Sequence, residues 1–137
     1  MNRVDESRYN EEKKFDKDDD TTRIASNNDS LRHHLFDDAI FKATTIHRKD
    51  KIVLSKGVSE LDNKDKMKVL RLVKEFDTFT HDDDPFKEHD FGAFDFKDIK
   101  YFWKIDYYDN DLKYHSENKT NAEKTIKVLT VMKASEY

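Results

Sequence analysis

The chain has no cysteine, and its 137 residues include only one proline, two glycines and one tryptophan. The absence of cysteine excludes disulfide bonds, thiolate nucleophiles and cysteine-ligated zinc. No apolar run approaches the roughly 18 residues that a membrane span needs, and the N-terminus is too polar for a signal peptide. We therefore expect a soluble, cytoplasmic protein that makes no contact with a membrane.

An excess of basic charge is also missing. The chain has 26 basic and 30 acidic side chains, which leaves a net charge of −4, and the two signs are finely mixed. Because a protein that tracks a phosphate backbone carries a basic stripe, this pattern argues against a dedicated nucleic-acid binder. The first 20 residues are polar and acidic, so we predict a disordered or frayed tail over residues 1–20 and a single domain over residues 21–137.

Two segments have the apolar spacing of helices. The first runs over residues 21–35, begins at Thr21 or Thr22, and places Asn28 in the middle of its apolar face. The second runs over residues 64–79, is capped by Asp62 or Asn63, and carries one apolar stripe: Met67, Val69, Leu70, Leu72, Val73 and Phe76. Between the two helices, residues 36–50 predict only a loop or a short strand.

Strands are predicted at residues 52–54 and in a hairpin of residues 91–96 and 99–107, joined by Lys97 and Asp98. The second hairpin strand places alternate side chains in the core: Ile99, Tyr101, Trp103, Ile105 and Tyr107. The β-branched C-terminal segment favours a further strand that pairs with residues 101–108, with a short helix as the alternative. The fold class is therefore α+β, an antiparallel sheet of three to four strands packed against two main α-helices.

Candidate chemistry concentrates in residues 81–109, which hold half of the phenylalanines and tyrosines and a cluster of acidic and histidine residues. His89 is the candidate general base, because its ordinary pKa lies near neutrality. Glu88 or Asp106 could orient it, and Lys104 could stabilise negative charge. The alternative without catalysis is a structural salt bridge of Lys104 with Asp106 or Glu88 on the face of the sheet. The imidazole and carboxylate groups between His81 and Asp90 could bind a metal ion, but they fit no known metal signature, so a solvated acidic loop is favoured and no metal ligand is assigned; no particular cofactor is indicated.

A binding site is the second functional hypothesis for residues 81–109. Asp90, Lys104 and Tyr108 would form it, with Asn28 and Thr130 as floor residues. Flat aromatic side chains beside charged groups can stack on bases or anchor a protein partner. The alternatives are that Asn28 is a core amide bonded to nearby backbone, and that the aromatic residues are ordinary core and edge positions.

Several strings of the sequence resemble a small bacterial family of unknown function: DDPFKEHDFGAF, FWKIDYYD, the arrangement ND-x-x-R (Asn28, Asp29 and Arg32) together with LSKGV, and VLTVM followed by Ala134 and Glu136-Tyr137. The resemblance covers residues 28–137, and it implies members in alphaproteobacteria, their plasmids and their phages. This chain departs from the family pattern in two places. Asp83 replaces an asparagine, which puts an amide-specific contact there in doubt, and Lys127 replaces an arginine, which would weaken a bidentate contact with an anion.

The resemblance implies an accessory or counter-defence protein. Together with the residues, it leads us to expect a small binding protein for a nucleotide-like small molecule or a host protein. The alternatives are a hydrolase of phosphorylated or nucleotide substrates that uses His89 as base, and a structural, oligomer-forming protein. Whether the chain is an enzyme is open at this point.

Overall fold

The computed structural model describes residues 20–35 and 49–137. Helix α1 covers residues 20–33, and it is followed after residue 48 by strand β1 (Lys51–Leu54), the short helix α2 (Lys56–Ser59) and helix α3 (Asn63–Lys74). Strands β2 (Phe91–Phe96), β3 (Ile99–Tyr108) and β4 (Ile126–Lys133) come next, with a 3-10 turn at Ala134–Glu136. The predicted tail, apart from residue 20, and most of the predicted loop at 36–50 lie outside the described residues.

The four strands form one mixed sheet in the order β1-β4-β3-β2. The β2–β3 and β3–β4 pairs are antiparallel, as predicted, and the C-terminal segment is the predicted strand. The β1–β4 pair is parallel, with Lys51 opposite Val128. The α+β class with two main helices, α1 and α3, is therefore confirmed, and the parallel edge is the feature that the prediction did not contain.

The β2–β3 hairpin turns through Lys97 and Asp98, the two predicted residues. Both have positive φ, 51° and 64°. Two consecutive left-handed residues are the backbone of a two-residue hairpin turn, whose twist matches that of the flanking strands. Lys97 Nζ also donates to Asp65 Oδ2 at 3.0 Å, which ties the turn to the first turn of α3.

The core lies between the helices and one face of the sheet. Tyr101, Trp103, Ile105 and Tyr107 of β3 are buried there, as predicted, with Leu129 and Val131 of β4 beside them. The helices contribute Ile24, Leu31, Val69 and Val73, and α2 contributes Val58. Ile99, predicted in this row, is instead 40% exposed, because it lies at the hairpin end of the strand.

Helix α3 is shorter than predicted and presents a narrower apolar face. Its side-chain cap is Asp62, as expected, whose carboxylate accepts the Asp65 N–H at 2.7 Å, but the helix ends at Lys74 rather than at residue 79. Met67 is 48% exposed and Leu72 is 38% exposed, so neither belongs to the core stripe. Phe76 and Phe79 follow the helix and still pack edge-on against Trp103.

Gly92 is required by the close approach of two strands. A Cβ atom at this position would lie 2.2 Å from Trp103 Nε1 and 2.6 Å from its Cε2. Because those atoms belong to the most buried ring of the core, no neighbour can move away. The space that a side chain would need at Gly92 is occupied by the indole of Trp103.

Candidate active site

The loop between α3 and β2 is organised by the buried carboxylate of Asp84. Its Oδ1 accepts the backbone N–H of Glu88 at 3.1 Å and that of His89 at 3.2 Å. Lys87 and His89 have positive φ, 56° and 55°, which side-chain-bearing residues rarely adopt. A strained backbone that the surroundings hold in place is typical of functional sites. The result is a tight turn that presents the side chain of His89 at a fixed position.

Three contacts fix the imidazole of His89. Nδ1 lies 3.0 Å from both carboxylate oxygens of Asp29, and the ring stacks on Phe79 with centroids 3.8 Å apart and planes 3° from parallel. Nε2 lies 3.9 Å from Asp84 Oδ2, beyond hydrogen-bond distance. Since an ionised carboxylate only accepts hydrogen bonds, Nδ1 carries the proton, and Nε2 is the nitrogen that a ligand or a reacting group can use.

Asp29 is held in turn by Arg32, one turn further along α1. Arg32 Nη2 donates to Asp29 Oδ1 at 2.7 Å, and the guanidinium is almost fully buried. The guanidinium carbon lies 4.7 Å from the centroid of the Trp103 ring. Burial lowers the pKa of Arg32, and the hydrogen bond with Asp29 and the charge of Asp29 partly oppose this change. Arg32, Asp29 and His89 therefore form a chain that fixes the imidazole from the core outward.

A second chain of polar contacts lies beside the first. Asn28 Nδ2 donates to the backbone carbonyl of Glu88 at 2.9 Å and to Tyr107 Oη at 2.7 Å. The Tyr107 hydroxyl donates to Asp90 Oδ2 at 3.3 Å, and Lys119 Nζ donates to Glu88 Oε2 at 3.3 Å. These contacts use the amide nitrogen of Asn28, whose buried Oδ1 has no hydrogen-bond partner among the described residues, and they connect α1 with the loop and with β3.

Two groups in this second chain have displaced pKa values. Burial, with the negative charge of Glu88, raises the pKa of Asp90 to about 6, and the hydrogen bond from Tyr107 opposes this rise. Burial also raises the pKa of the Tyr107 phenol, with the charge of Asp90 adding to the effect. Displaced carboxyl pKa values mark candidate sites of proton chemistry.

A depression of about 380 Å³ opens next to His89. It is lined by Thr21, Thr22 and Ala25 of α1 and by Lys87 and His89 of the loop. A larger cavity of about 590 Å³ lies within residues 109–124, but it contains none of the sequence-predicted site residues. We place the candidate site at the smaller depression, because there a cavity meets the rigidly held imidazole of His89.

The structure separates the predicted site residues into two groups. Asn28, Glu88, His89 and Asp90 lie together on the helix-covered side of the sheet. The other group is on the opposite face of the sheet and consists of Lys104, Asp106, Tyr108 and Thr130. There Lys104 Nζ pairs with Asp106 Oδ2 at 2.9 Å, the salt bridge that was the alternative reading, and Tyr108 stacks on His115.

The orienting partner of His89 is therefore neither of the two predicted residues. Asp106 is on the wrong face of the sheet, because adjacent strand residues alternate and Asp106 lies between core residues 105 and 107. The Glu88 carboxylate is paired with Lys119. Asp29 makes this contact, and the sequence analysis included Asp29 and Arg32 in the family resemblance but assigned no role to them or to Phe79. The spacing of Asp29 and Arg32, three residues apart on a helix, was the available signal.

The described residues contain no group of three or more histidine or acidic side chains arranged to hold a metal ion. In the same part of the chain, no helix is long and apolar enough to cross a membrane.

A family model described as "Protein of unknown function (DUF3768)" matches residues 54–136. The chain belongs to this family. No curated protein and no solved structure matches the chain. The DUF3768 match contains His89, Asp84, Phe79 and Tyr107, and it begins after α1. The site thus joins a loop inside the matched region to Asn28, Asp29 and Arg32 outside it.

Proposed function

We propose that this protein binds a small nucleotide-like ligand in the depression beside His89. The single observation that carries the proposal is the fixed imidazole, whose Nδ1 is bonded to Asp29 and whose Nε2 has no hydrogen-bond partner among the described residues. A preorganised side chain contributes to affinity because its ordering cost does not have to be met on binding.

The other lining residues support an anionic or polar ligand. Lys87 supplies a positive charge, and Thr21 and Thr22 supply hydroxyl groups at the same depression. Asp29 and Asp84 do not line it, and both carboxylates are already bonded, to Arg32 and to backbone N–H groups respectively. A volume of about 380 Å³ lies within the range of sites for small molecules. A nucleotide-like ligand also fits an accessory or counter-defence protein of the cytoplasm.

A second candidate function is hydrolysis of a phosphorylated or nucleotide substrate. The observation that favours it is the Asp29–His89 pair, because a carboxylate on Nδ1 is the arrangement that orients a histidine to take a proton at Nε2. Water would attack the phosphorus atom while Nε2 of His89 accepts its proton, the P–O bond to the leaving group would break, and the leaving oxygen would take a proton from the imidazolium or from solvent. Lys87 would lie beside the developing negative charge.

The first test is thermal unfolding in the presence of nucleotides, cyclic dinucleotides and ADP-ribose derivatives, with each mixture then analysed by mass spectrometry. A ligand at about 100 times its dissociation constant adds about 2.7 kcal/mol to the free energy of unfolding. We expect His89→Ala to weaken binding by about 10–100-fold, the value of a hydrogen bond to a charged group. His81→Ala, an exposed histidine of the same loop, is the control and should bind normally.

The outcomes separate the candidates. A shift with unchanged ligand supports binding alone, whereas a converted ligand supports hydrolysis. In the second case Asp29→Asn should lower the rate by about 10²–10⁴-fold, more than it weakens binding, because the amide oxygen can still accept from Nδ1 but does not stabilise the imidazolium. If Lys104→Ala or Tyr108→Ala abolishes binding and His89→Ala does not, the site is on the opposite face of the sheet and our proposal is wrong. No shift with any ligand would point to a protein partner.

A further inference from the structure

The long connection between β3 and β4, residues 109–125, folds into a closed loop. Asn110 Nδ2 donates to the carbonyl of Glu123 at 2.9 Å, which joins its two ends. The Ser116 N–H donates to the carbonyl of Tyr107 at 3.0 Å, and the Ser116 hydroxyl lies 2.6 Å from that of the buried Thr125. Surface loops whose ends are close and which are held by their own side chains are frequently functional.

This loop forms a cavity of about 590 Å³, a volume within the range of sites for small molecules. Two of the residues that line it are aromatic, Tyr114 and His115. Three others are charged, Asp109, Glu117 and Lys124. The cavity therefore offers both flat rings and groups that can form hydrogen bonds.

The two rings are held in place by the backbone and remain accessible. The imidazole of His115 stacks on Tyr108, with centroids 5.9 Å apart and planes 11° from parallel, and an isolated β-bridge pairs the same two residues. Tyr108 thus lies against one face of the imidazole and leaves the other to the cavity. The Asp109 N–H donates to the Tyr114 carbonyl at 2.8 Å, yet the Tyr114 residue is 73% exposed. Such rings can stack on a flat ligand.

The charged groups of the cavity are mainly acidic. One oxygen of Asp109, Oδ1, accepts the N–H groups of Asp111 and Lys113, both at 3.1 Å. The side chains of Glu117 and Lys124 form no hydrogen bond or ion pair with any residue that the structure describes. Two carboxylates against one ammonium group repel an anion, whereas the depression beside His89 contains a lysine and no carboxylate.

We propose that the loop of residues 109–125 carries a second ligand site, which takes an uncharged heteroaromatic ring such as the base of a nucleoside. The ring stacks on Tyr114 and on the open face of His115. Its amino group donates to Glu117 or Asp109, and a ring nitrogen accepts from Lys124. The excess of acidic groups selects the nucleoside over its phosphorylated form. This site shares no lining residue with the depression beside His89 and does not rest on the function proposed for it.

Titration of the ¹⁵N-labelled protein with adenosine, followed through the backbone amide resonances, tests the site. The resonances of residues 109–125 should shift, and Tyr114→Ala and His115→Ala should each weaken binding by about 5–150-fold, the range of base–aromatic stacking. Both residues are exposed, so the resonances of the core should stay in place. Phe86→Ala is the control, because Phe86 is an equally exposed aromatic residue of another loop, and it should bind adenosine normally.

Adenosine monophosphate tests the charge preference. It should bind to the loop about 2–5-fold more weakly than adenosine, and Glu117→Gln should reduce this difference. The site is overturned if adenosine at its solubility limit leaves the resonances of residues 109–125 unchanged, if it shifts only those of residues 84–90, or if Tyr114→Ala and His115→Ala both bind as the wild type does. Shifts of residues 84–90 by the monophosphate report separately on the function proposed for the depression beside His89.

Discussion

Lys127 carries a charge into the core of the protein. Only 6% of the residue is exposed, and its Nζ has no hydrogen-bond partner among the described residues. Burial lowers the pKa of this lysine to about 8, and the charge of Asp50 only partly opposes the effect. An ammonium group in this position destabilises the folded state, because water no longer solvates it.

We expect Lys127→Met to raise the free energy of unfolding at pH 7 by about 3 kcal/mol, the value of a pKa lowered from about 10.4 to about 8. The sign follows from proton binding. Between pH 8 and 10 the unfolded chain holds the proton and the folded protein does not, so the wild type gains stability as pH rises. Urea unfolding at pH 7, 8.5 and 10 measures the difference between the two proteins, which should shrink across this range.

Lys100→Met is the matched control, because Lys100 is exposed on the neighbouring strand. It should change stability by less than about 0.5 kcal/mol at each pH. If Lys127→Met destabilises the protein equally at every pH, the ammonium contributes more in the core than its burial costs, and the interpretation is wrong.

At this scale the sequence identified part of the candidate site. Asn28, Glu88, His89 and Asp90 could be recognised because polar residues at apolar positions, or beside histidine, carry a local signal. Asp29 and Arg32 could not be recognised in the same way, since a charged pair on a helix is ordinarily a solvated one. The position of Arg32 depends on contacts with Phe79 and Trp103 that form only in the tertiary fold.

At the scale of elements, Arg32 joins the two main helices. Its Nη1 donates to the carbonyl of Val73 at 2.9 Å and to that of Phe76 at 2.8 Å, at the C-terminal end of α3. Carbonyl groups at a helix C-terminus lack partners within the helix and carry partial negative charge. One guanidinium of α1 therefore completes the end of α3 and also holds Asp29.

Arg32→Lys should lower the free energy of unfolding by about 2–4 kcal/mol, because a lysine keeps the charge but cannot reach both carbonyls and Asp29 in one plane. Urea unfolding measures the loss. Arg23→Lys on the same helix is the control, since the Arg23 side chain is 55% exposed and its pairing with Asp20 is a surface contact. A loss no larger than that of the control would show that the fork geometry of Arg32 is unimportant.

The sequence predicted the elements better than their ends and their partners. Alternation and the turn residues located β2 and β3, and the Asp62 cap located the start of α3. The apolar spacing continues to Phe76 and Phe79, but the helix ends at Lys74. These two rings are buried because they pack against Trp103 and not because they belong to the helix. The parallel pairing of β1 with β4 has no local signal, since the two strands lie far apart in the chain.

At the scale of the whole molecule, α1 belongs to the same core as the DUF3768 region. Leu31 is fully buried and Ile24 nearly so, within the cluster that contains Trp103. Removing two such aliphatic side chains from the core costs about 3–6 kcal/mol by transfer energies alone. The matched residues 54–136 are therefore not expected to keep their stability without this helix.

A shortened chain of residues 49–137 tests this expectation through Trp103, the only tryptophan. We expect a red-shifted emission, because α1 and Arg32 no longer cover the indole, and an unfolding free energy lower by several kcal/mol. A peptide of residues 20–35 should restore part of the emission when added in excess, whereas the same peptide with Leu31→Asp should not. Unchanged emission and stability in the short chain would show that α1 is dispensable.

The parallel edge of the sheet also affects the order in which the chain can fold. Strands β2 and β3 are joined by two residues, whereas Lys51 of β1 meets Val128 of β4 across 77 positions (128 − 51). The entropy lost on closing a loop grows with its length, so the hairpin can nucleate early and β1 can join only after β4 has paired. Until then the side chains of Ile52 and Leu54, which pack against the core in the folded protein, remain exposed to water. Any step that delays the pairing of β4 therefore prolongs the lifetime of a species with an unpaired apolar strand, the kind of species from which aggregation begins.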